Sequence, residues 1–282
     1  MQVTNTLPDD WSPADNPYAI AVSEAQWWSH AVDLAILRMR EGDERWTGFF
    51  SSQQIDARQL IVALCQILAA EKLEQAALTE LGMDPSVGVT LAQARQAFED
   101  ALPGITDMRN ALIHFDEWSR GMGRGPQRQR TQAGEALRDV ASAYSGFGYD
   151  HSVDTIRLGP NAITLNAAAE AADELCQAIH AAAQQVDWKS TADLRITTVQ
   201  TLAAAGIQCD APEAPLRISS GHDLRIWLSL RSDATEEIRA GLAPQVVVTL
   251  AAAGLCLSSP HPQADDIVER ITKGEPLFVA RQ

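Results

Sequence analysis

The sequence predicts a mainly α-helical fold: a helical bundle with one inserted β-hairpin, followed by a small C-terminal α+β segment. Three observations carry that prediction. Apolar residues recur at three- and four-residue spacing through most of residues 22–188, the period of helices buried along one face. One stretch near residues 154–166, "DTIRLGPNAITLN", replaces that period with two short alternating runs around Gly159, Pro160 and Asn161, the signal of a hairpin. Over residues 189–282 the texture changes again, to short apolar runs alternating with helical patterns, which suits an α+β unit.

Taken in order, residues 1–21 are rich in Pro, Asp and Asn and read as a flexible lead-in. The first helix is predicted over "SEAQWWSHAVDLAILRMREG", with Ser23 and Gln26 as a capping box and Gly42 as its exit. Its stripe is Trp27, Ala31, Leu34 and Leu37 or Arg38, and of the rings of Trp27 and Trp28 one is expected in the core. The second helix, "IDARQLIVALCQILAAEKLEQAALTELG", is apolar nearly all round between Leu60 and Leu68, so it is predicted as the centre of the bundle. The third is expected to begin at Thr90, boxed by Gln93, and to end at Pro103 and Gly104. A fourth runs from Ile105 to Arg120 and is stopped by "GMGRGPQ"; another covers "TQAGEALRDVASAYSG". After the hairpin, "AAAEAADELCQAIHAAAQQVD" is a long alanine-rich helix.

In the last segment, helices are predicted in "STADLRITTVQTLAAAG", in "DATEEIRAGLAPQVVVTLAAAG" with an interruption at Pro244, and in "DDIVERI". Strands are predicted in "PLRISS", "DLRIWLSLR", "LCLSS" and "PLFVA". The echo of "TLAAAGI" at 201–207 by "TLAAAGL" at 249–255 has the spacing of a repeat unit, but its flanks differ, and alanine-rich helices that end in a capping glycine converge on such strings.

Composition narrows the function classes. The 282 residues are 46% hydrophobic and 21% charged, enough for a sizeable core. No run of about 18 uninterrupted apolar residues predicts a membrane span, and the N-terminus lacks a basic start followed by an apolar run. A cytoplasmic setting is therefore expected, with Cys65, Cys176, Cys209 and Cys256 as scattered reduced thiols. The net charge of −15 excludes a general attraction for polyanions, so any contact with RNA must be local. One local basic run exists, "SRGMGRGPQRQR", with Arg120, Arg124, Arg128 and Arg130 and no acidic residue among them.

The chemistry-bearing stretch is "TDMRNALIHFDEW", residues 106–118. On one continuous helix, Ile105, Met108, Leu112 and Phe115 form an apolar stripe that packs on the bundle. Asp107, Asn110, Ala111, His114 and Trp118 form a second stripe on roughly the opposite side, too apolar for plain solvent and too polar for a core. It suits a cleft or a subunit interface. Arg109 lies five positions before His114, and five positions on a helix point roughly 140° apart. If both act on one substrate, Arg109 reaches around or a second copy completes the site across a two-fold axis.

"RNALIH" resembles the motif of HEPN domains (higher eukaryotes and prokaryotes nucleotide-binding), with Arg109, Asn110 and His114 at its arginine, polar and histidine positions. The longer "RNALIHFDEWSRGMGRG" is similar to bacterial HEPN-like proteins. The resemblance implies a helical bundle that dimerises through the motif helix, here by Asp107, Asn110, His114 and Trp118. It further implies metal-independent endoribonuclease activity of a defence or toxin type, needing no cofactor. In that chemistry a 2′-hydroxyl attacks the adjacent phosphate. His114 moves a proton, as histidines do near neutral pH, Arg109 stabilises the phosphate charge, and Asn110 fixes the imidazole ring or binds the phosphate. Arg120, Arg124, Arg128 and Arg130 then guide the RNA backbone. Asp116 and Glu117 beside the motif oppose a phosphate. The alternative is a non-catalytic HEPN-like module for dimerisation or for binding a nucleotide or partner.

Weaker signals give way to structural readings. "GMGRG" follows a helix and lacks a Lys-Ser/Thr, so it is a turn with basic arms and not a phosphate loop. "GHD" at 221–223 reads as a hairpin turn, and His261 in "SPHPQ" has no partner at zinc spacing.

Overall fold

A computed structural model of the chain describes residues 12–41, 46–47, 50–212, 225–259 and 266–281. The "PLRISS" strand, the "GHD" turn, His261 and the first eleven residues of the lead-in lie outside them. The fold is mainly helical with small antiparallel sheets. It divides into two compact units, Ile20–Ala182 and a second formed by Met1–Ala19 with Ala183–Gln282.

The first helix is α1 (Pro17–Glu41), which belongs to the first unit from Ile20 onward. Its start lies six residues before the Ser23 box, so residues 17–21 are helix and not lead-in. Proline at the first helical position has its φ pre-set and loses no hydrogen bond there, and Tyr18, Ala19, Ala21 and Val22 are buried. Burial along α1 follows Val22, Ala25, Val32, Ala35 and Met39. The predicted stripe is therefore the outer one: Trp27 is 71% exposed with Leu34 and Leu37 beside it. Trp28 is half-buried and donates its indole N–H to Glu24 at 3.0 Å, so neither ring is in the core. The buried face mixes Ala19, Ala21, Ala25 and Ala35 with the larger Tyr18, Ile36 and Met39, and at its alanines the neighbouring helix comes close. Cys176 Sγ, for instance, lies 3.3 Å from the Ala25 carbonyl.

A two-residue pair, β1 (Trp46–Thr47) and β2 (Phe50–Ser51), leads into α2 (Ser52–Glu80), whose cap is Ser51 accepting from the Gln54 N–H. As its all-round apolar pattern predicts, α2 is central: Leu60, Ile61, Leu64 and Ile67 are fully buried. The next helix, α3 (Pro85–Ala101), starts five residues before Thr90 because Asp84 caps it and Pro85 opens it. Thr90 instead bonds back to the Ser86 carbonyl at 3.0 Å. Arg95 of α3 reaches Glu71 of α2 at 3.0 Å and Glu99 at 3.1 Å.

The turn at Pro103 and Gly104 does separate α3 from α4 (Ile105–Ile113). The predicted single helix to Arg120 is however two, because the chain leaves helical geometry at His114 before α5 (Phe115–Trp118). The single helix expected after the glycines is likewise two short ones, α6 (Pro126–Gln132) and α7 (Leu137–Ala143). Gly134 at φ +91° separates them.

The hairpin forms as predicted: β4 (Thr155–Leu158) pairs with β5 (Asn161–Thr164) in the register Leu158↔Asn161 around Gly159 and Pro160. A third strand, β3 (Gly148–Asp150), joins its other edge. Asp154 before β4 has φ +51° and is clamped by the Tyr149 hydroxyl at 2.6 Å and Arg40 Nε at 2.8 Å. The chain continues as α8 (Leu165–Ser190), the predicted alanine-rich helix, whose last turns belong to the second unit.

The second unit continues with α9 (Ala192–Ala204), β6 (Arg225–Leu228), α10 (Glu236–Ala252), β7 (Leu255–Ser258), α11 (Ile267–Lys273) and β8 (Leu277–Arg281). The sheet is antiparallel in the order β6-β8-β7. Ile226, Leu228, Leu277 and Val279 bury against Leu202, Val246, Leu250 and Ile271 of the helices. Pro244 does not interrupt α10. It lies on the exposed side, as does Ala240 four residues earlier, where water can meet the carbonyl it frees.

Candidate functional site

The motif helix is seated by its neighbours at both ends. At its start Gly104 takes φ +78°, and a Cβ there would fall 2.3 Å from the Asn161 side chain, so the hairpin tip closes on glycine alone. Along α4, Ile105, Met108 and Ala111 are buried, while Asp107, Arg109 and Asn110 are half-buried. At its end Ile113, His114 and Phe115 are exposed.

The break at His114 (φ −107°, ψ 42°) reassigns every face beyond it. The His114 N–H still donates to the Asn110 carbonyl at 2.8 Å, and its own carbonyl accepts from Trp118 at 3.0 Å. The rotation exchanges two aromatics. Phe115, predicted in the core stripe, is 69% exposed, and Trp118, predicted on the partner-seeking face, is 5% exposed. The proposed dimer face of Asp107, Asn110, His114 and Trp118 is thus not one surface in this chain, since its largest member is inside. Burial favoured the larger ring.

Trp118 is held from three sides. It meets Tyr144 edge-on with centroids 5.5 Å apart. Gly123 backs onto the indole so closely that a Cβ would lie 2.6 Å from Nε1. Gln127, fully buried, accepts from the Gly123 N–H at 2.8 Å and donates to the Trp118 carbonyl at 3.0 Å. Gly121 similarly passes the Leu137 carbonyl, where a Cβ would stand 2.3 Å away. In the glycine-rich exit, Gly123 is therefore set by the tryptophan and Gly121 by the Leu137 backbone.

Arg109 donates from Nη1 to Asn110 Oδ1 at 2.8 Å, so the motif's arginine and polar residue form one unit. Among the described residues no hydrogen bond or ion pair joins Arg109 to His114, and the His114 side chain has no such partner. Burial pushes the Asp107 carboxyl up; its Oδ1 lies near Gly125, at 3.3 Å from where a Cβ would be. On the core side of α4, burial pushes the Cys65 thiol up to about 11 against the opposing pull of Arg109, which leaves it unreactive at neutral pH.

Of the four arginines of the basic run, Arg120, Arg124 and Arg128 are exposed and have no carboxylate partner among the described residues. Arg130 differs. Its Nε contacts both Glu135 oxygens, at 2.8 and 2.9 Å, and its guanidinium lies over the Tyr144 ring at 5.8 Å. The basic run contains no acid, but the turn after α6 brings one back onto it, and Arg130's charge is neutralised.

Sequence reasoning missed a cleft beside the motif. Ala111, Leu112, Phe115 and Trp118 line one side; Tyr144, Phe147, Leu158 and Arg58 are among the residues facing them. Arg58 lies on the second turn of α2 and Phe147 in the loop before β3, positions with no local signal that only the fold brings together. Among the described residues no three His, Cys, Asp or Glu gather as for a metal ion, and no helix is long and apolar enough to cross a membrane. No family model, curated protein or solved structure matches the chain, so the functional reading rests on these residues.

Proposed function

We propose that the first unit is a HEPN-like endoribonuclease that cleaves RNA without a metal ion, acting as a homodimer with motif helices from two copies. The observation that supports it most is the disposition of the motif's three residues. Arg109 is positioned by Asn110, and His114 stands exposed at the helix break, its side chain uncommitted among the described residues. A phosphate between them meets a fixed guanidinium and a proton carrier. The split of one helix at His114 removes the simple 140° separation, yet the two side chains still have no direct contact in one chain. A second copy is the natural source of the complementary residue. The non-catalytic alternative is favoured by one observation, the exposed Asp116 with the adjoining Glu117, which repel a phosphate at the same helix end.

The test is incubation of the purified chain with mixed RNA in EDTA, beside His114→Ala and Arg109→Ala. Removal of a proton-transfer group costs about 10²- to 10⁴-fold, and removal of a charge stabiliser about 10²- to 10³-fold. Cleavage that survives chelation and falls by those factors supports the enzyme. A folded chain that leaves RNA intact, or a His114→Ala variant that cleaves at the full rate, refutes it.

A further inference from the structure

The cleft beside α4 has the composition of a recognition site rather than a packing fault. Its volume is about 270 Å³, just below the usual range of ligand clefts, about 300–1,000 Å³, a size that suits one ring system. Among the described residues four aromatics line it, Phe115, Trp118, Tyr144 and Phe147, and the one charged residue is Arg58. Among the described residues no carboxylate lines it, although acidic residues outnumber basic ones by 37 to 22 in this chain.

The charged group is also presented for use. The Arg58 guanidinium lies 5.0 Å from the Phe147 ring centroid and has no carboxylate partner among the described residues. A guanidinium stacked on a ring keeps the donors on its edge for a planar or tetrahedral anion. Phe115, at 69% exposure, is the ring that the His114 break turned away from the core and onto the cleft wall. Leu112 and Phe115 flank Ile113 and His114 and both line the cleft, so an occupant lies beside the helix break.

We infer that this cleft binds a single unpaired nucleobase with its adjoining phosphate, the base stacked on Phe115 and the phosphate held by Arg58. Stacking on an aromatic face is open to every base, so the site is tolerant of sequence. An RNA strand and a free mononucleotide share this chemistry. The choice of RNA as its source rests on the proposed function.

Binding is measured separately from cleavage. Full-length His114→Ala is titrated into a fluorescein-labelled, 2′-O-methylated hexaribonucleotide and followed by anisotropy, with uridine monophosphate as competitor. Phe115→Ala or Arg58→Ala, added to that background, is expected to weaken binding by about five- to a hundredfold, the loss of one stack or one charged contact. Phe115→Tyr is expected to retain it. Because Phe115 is mostly outside the core, its variants report on the cleft and not on folding, which circular dichroism checks. Competition by the mononucleotide identifies a site for the free ligand; its absence identifies a strand. Failure of the folded chain to bind either probe, or equal binding by the alanine variants, overturns the inference. Cleavage that depends on His114 but ignores Phe115 and Arg58 keeps the nuclease and ends the base cleft. Binding that depends on Phe115 and Arg58 without any cleavage does the reverse.

Discussion

At the scale of single residues, the arrangement around Trp118 gives the flank of the motif a structural role. Gly123 and Gln127 have no reason to be glycine and glutamine except the indole they enclose. Gly123→Ala forces a Cβ to within 2.6–2.7 Å of three indole atoms, so the ring or the turn must shift at a cost of about 1–3 kcal/mol. Gln127→Ala strands a buried N–H and a buried carbonyl, at about 1–3 kcal/mol. Urea unfolding should show both as lower midpoints with unchanged slopes. The two residues share the Trp118 contact, so the double variant should cost less than the sum. Wild-type midpoints for either single variant would mean that Trp118 is not held in this way.

At the scale of elements, what could be read from the sequence was what local physics decides. The hairpin register follows from Gly159 and Pro160, and the central place of α2 from its all-round apolar run. Less legible was any choice settled by distant residues. The outer stripe of α1 was taken for the inner one because tryptophan and leucine outweigh alanine and valine in a pattern, whereas the buried face mixes alanines with Tyr18, Ile36 and Met39. The break at His114 has no proline or glycine to announce it, and it inverted the fates of Phe115 and Trp118. The candidate triad was visible as a string; the cleft, built from α2, α4 and the loop before β3, was not. One element-level clamp can be tested by pH. Burial works against the Asp154 carboxylate, but its hydrogen bonds from Tyr149 and Arg40 outweigh burial and hold its pKa below the ordinary value. A depressed folded pKa stabilises above the unfolded value, near 3.9, and that contribution is lost as pH falls through the folded one. Asp154→Asn keeps a residue tolerant of φ +51° but removes the charge. With both partners about a third exposed, the expected loss is about 1 kcal/mol at pH 7. Thermal melts should show the gap between variant and wild type closing as pH drops below 4. A gap that persists unchanged in acid would assign the effect to packing.

At the scale of the whole molecule, a net charge of −15 sets the terms on which any nucleic acid approaches. At about 0.1 M salt the field of the acidic body fades within roughly 10 Å, so attraction must come from groups that touch the strand. Arg120, Arg124 and Arg128 are free to do so, and Arg130 is committed to Glu135. Each phosphate neutralised on a single strand contributes about −0.7 to the slope of log affinity against log salt. Replacing Arg120, Arg124 and Arg128 together by alanine should therefore flatten the slope for the methylated hexamer by about 2. Arg130→Ala should leave it unchanged, because a paired guanidinium releases no counterion from the strand. The measurement is anisotropy in the His114→Ala background from about 50 to 200 mM salt, a span over which phosphate contacts change affinity steeply. Equal flattening by Arg130→Ala and Arg124→Ala would show that the Glu135 pair opens when RNA arrives. A slope indifferent to all four arginines would place the strand's path elsewhere on this acidic surface.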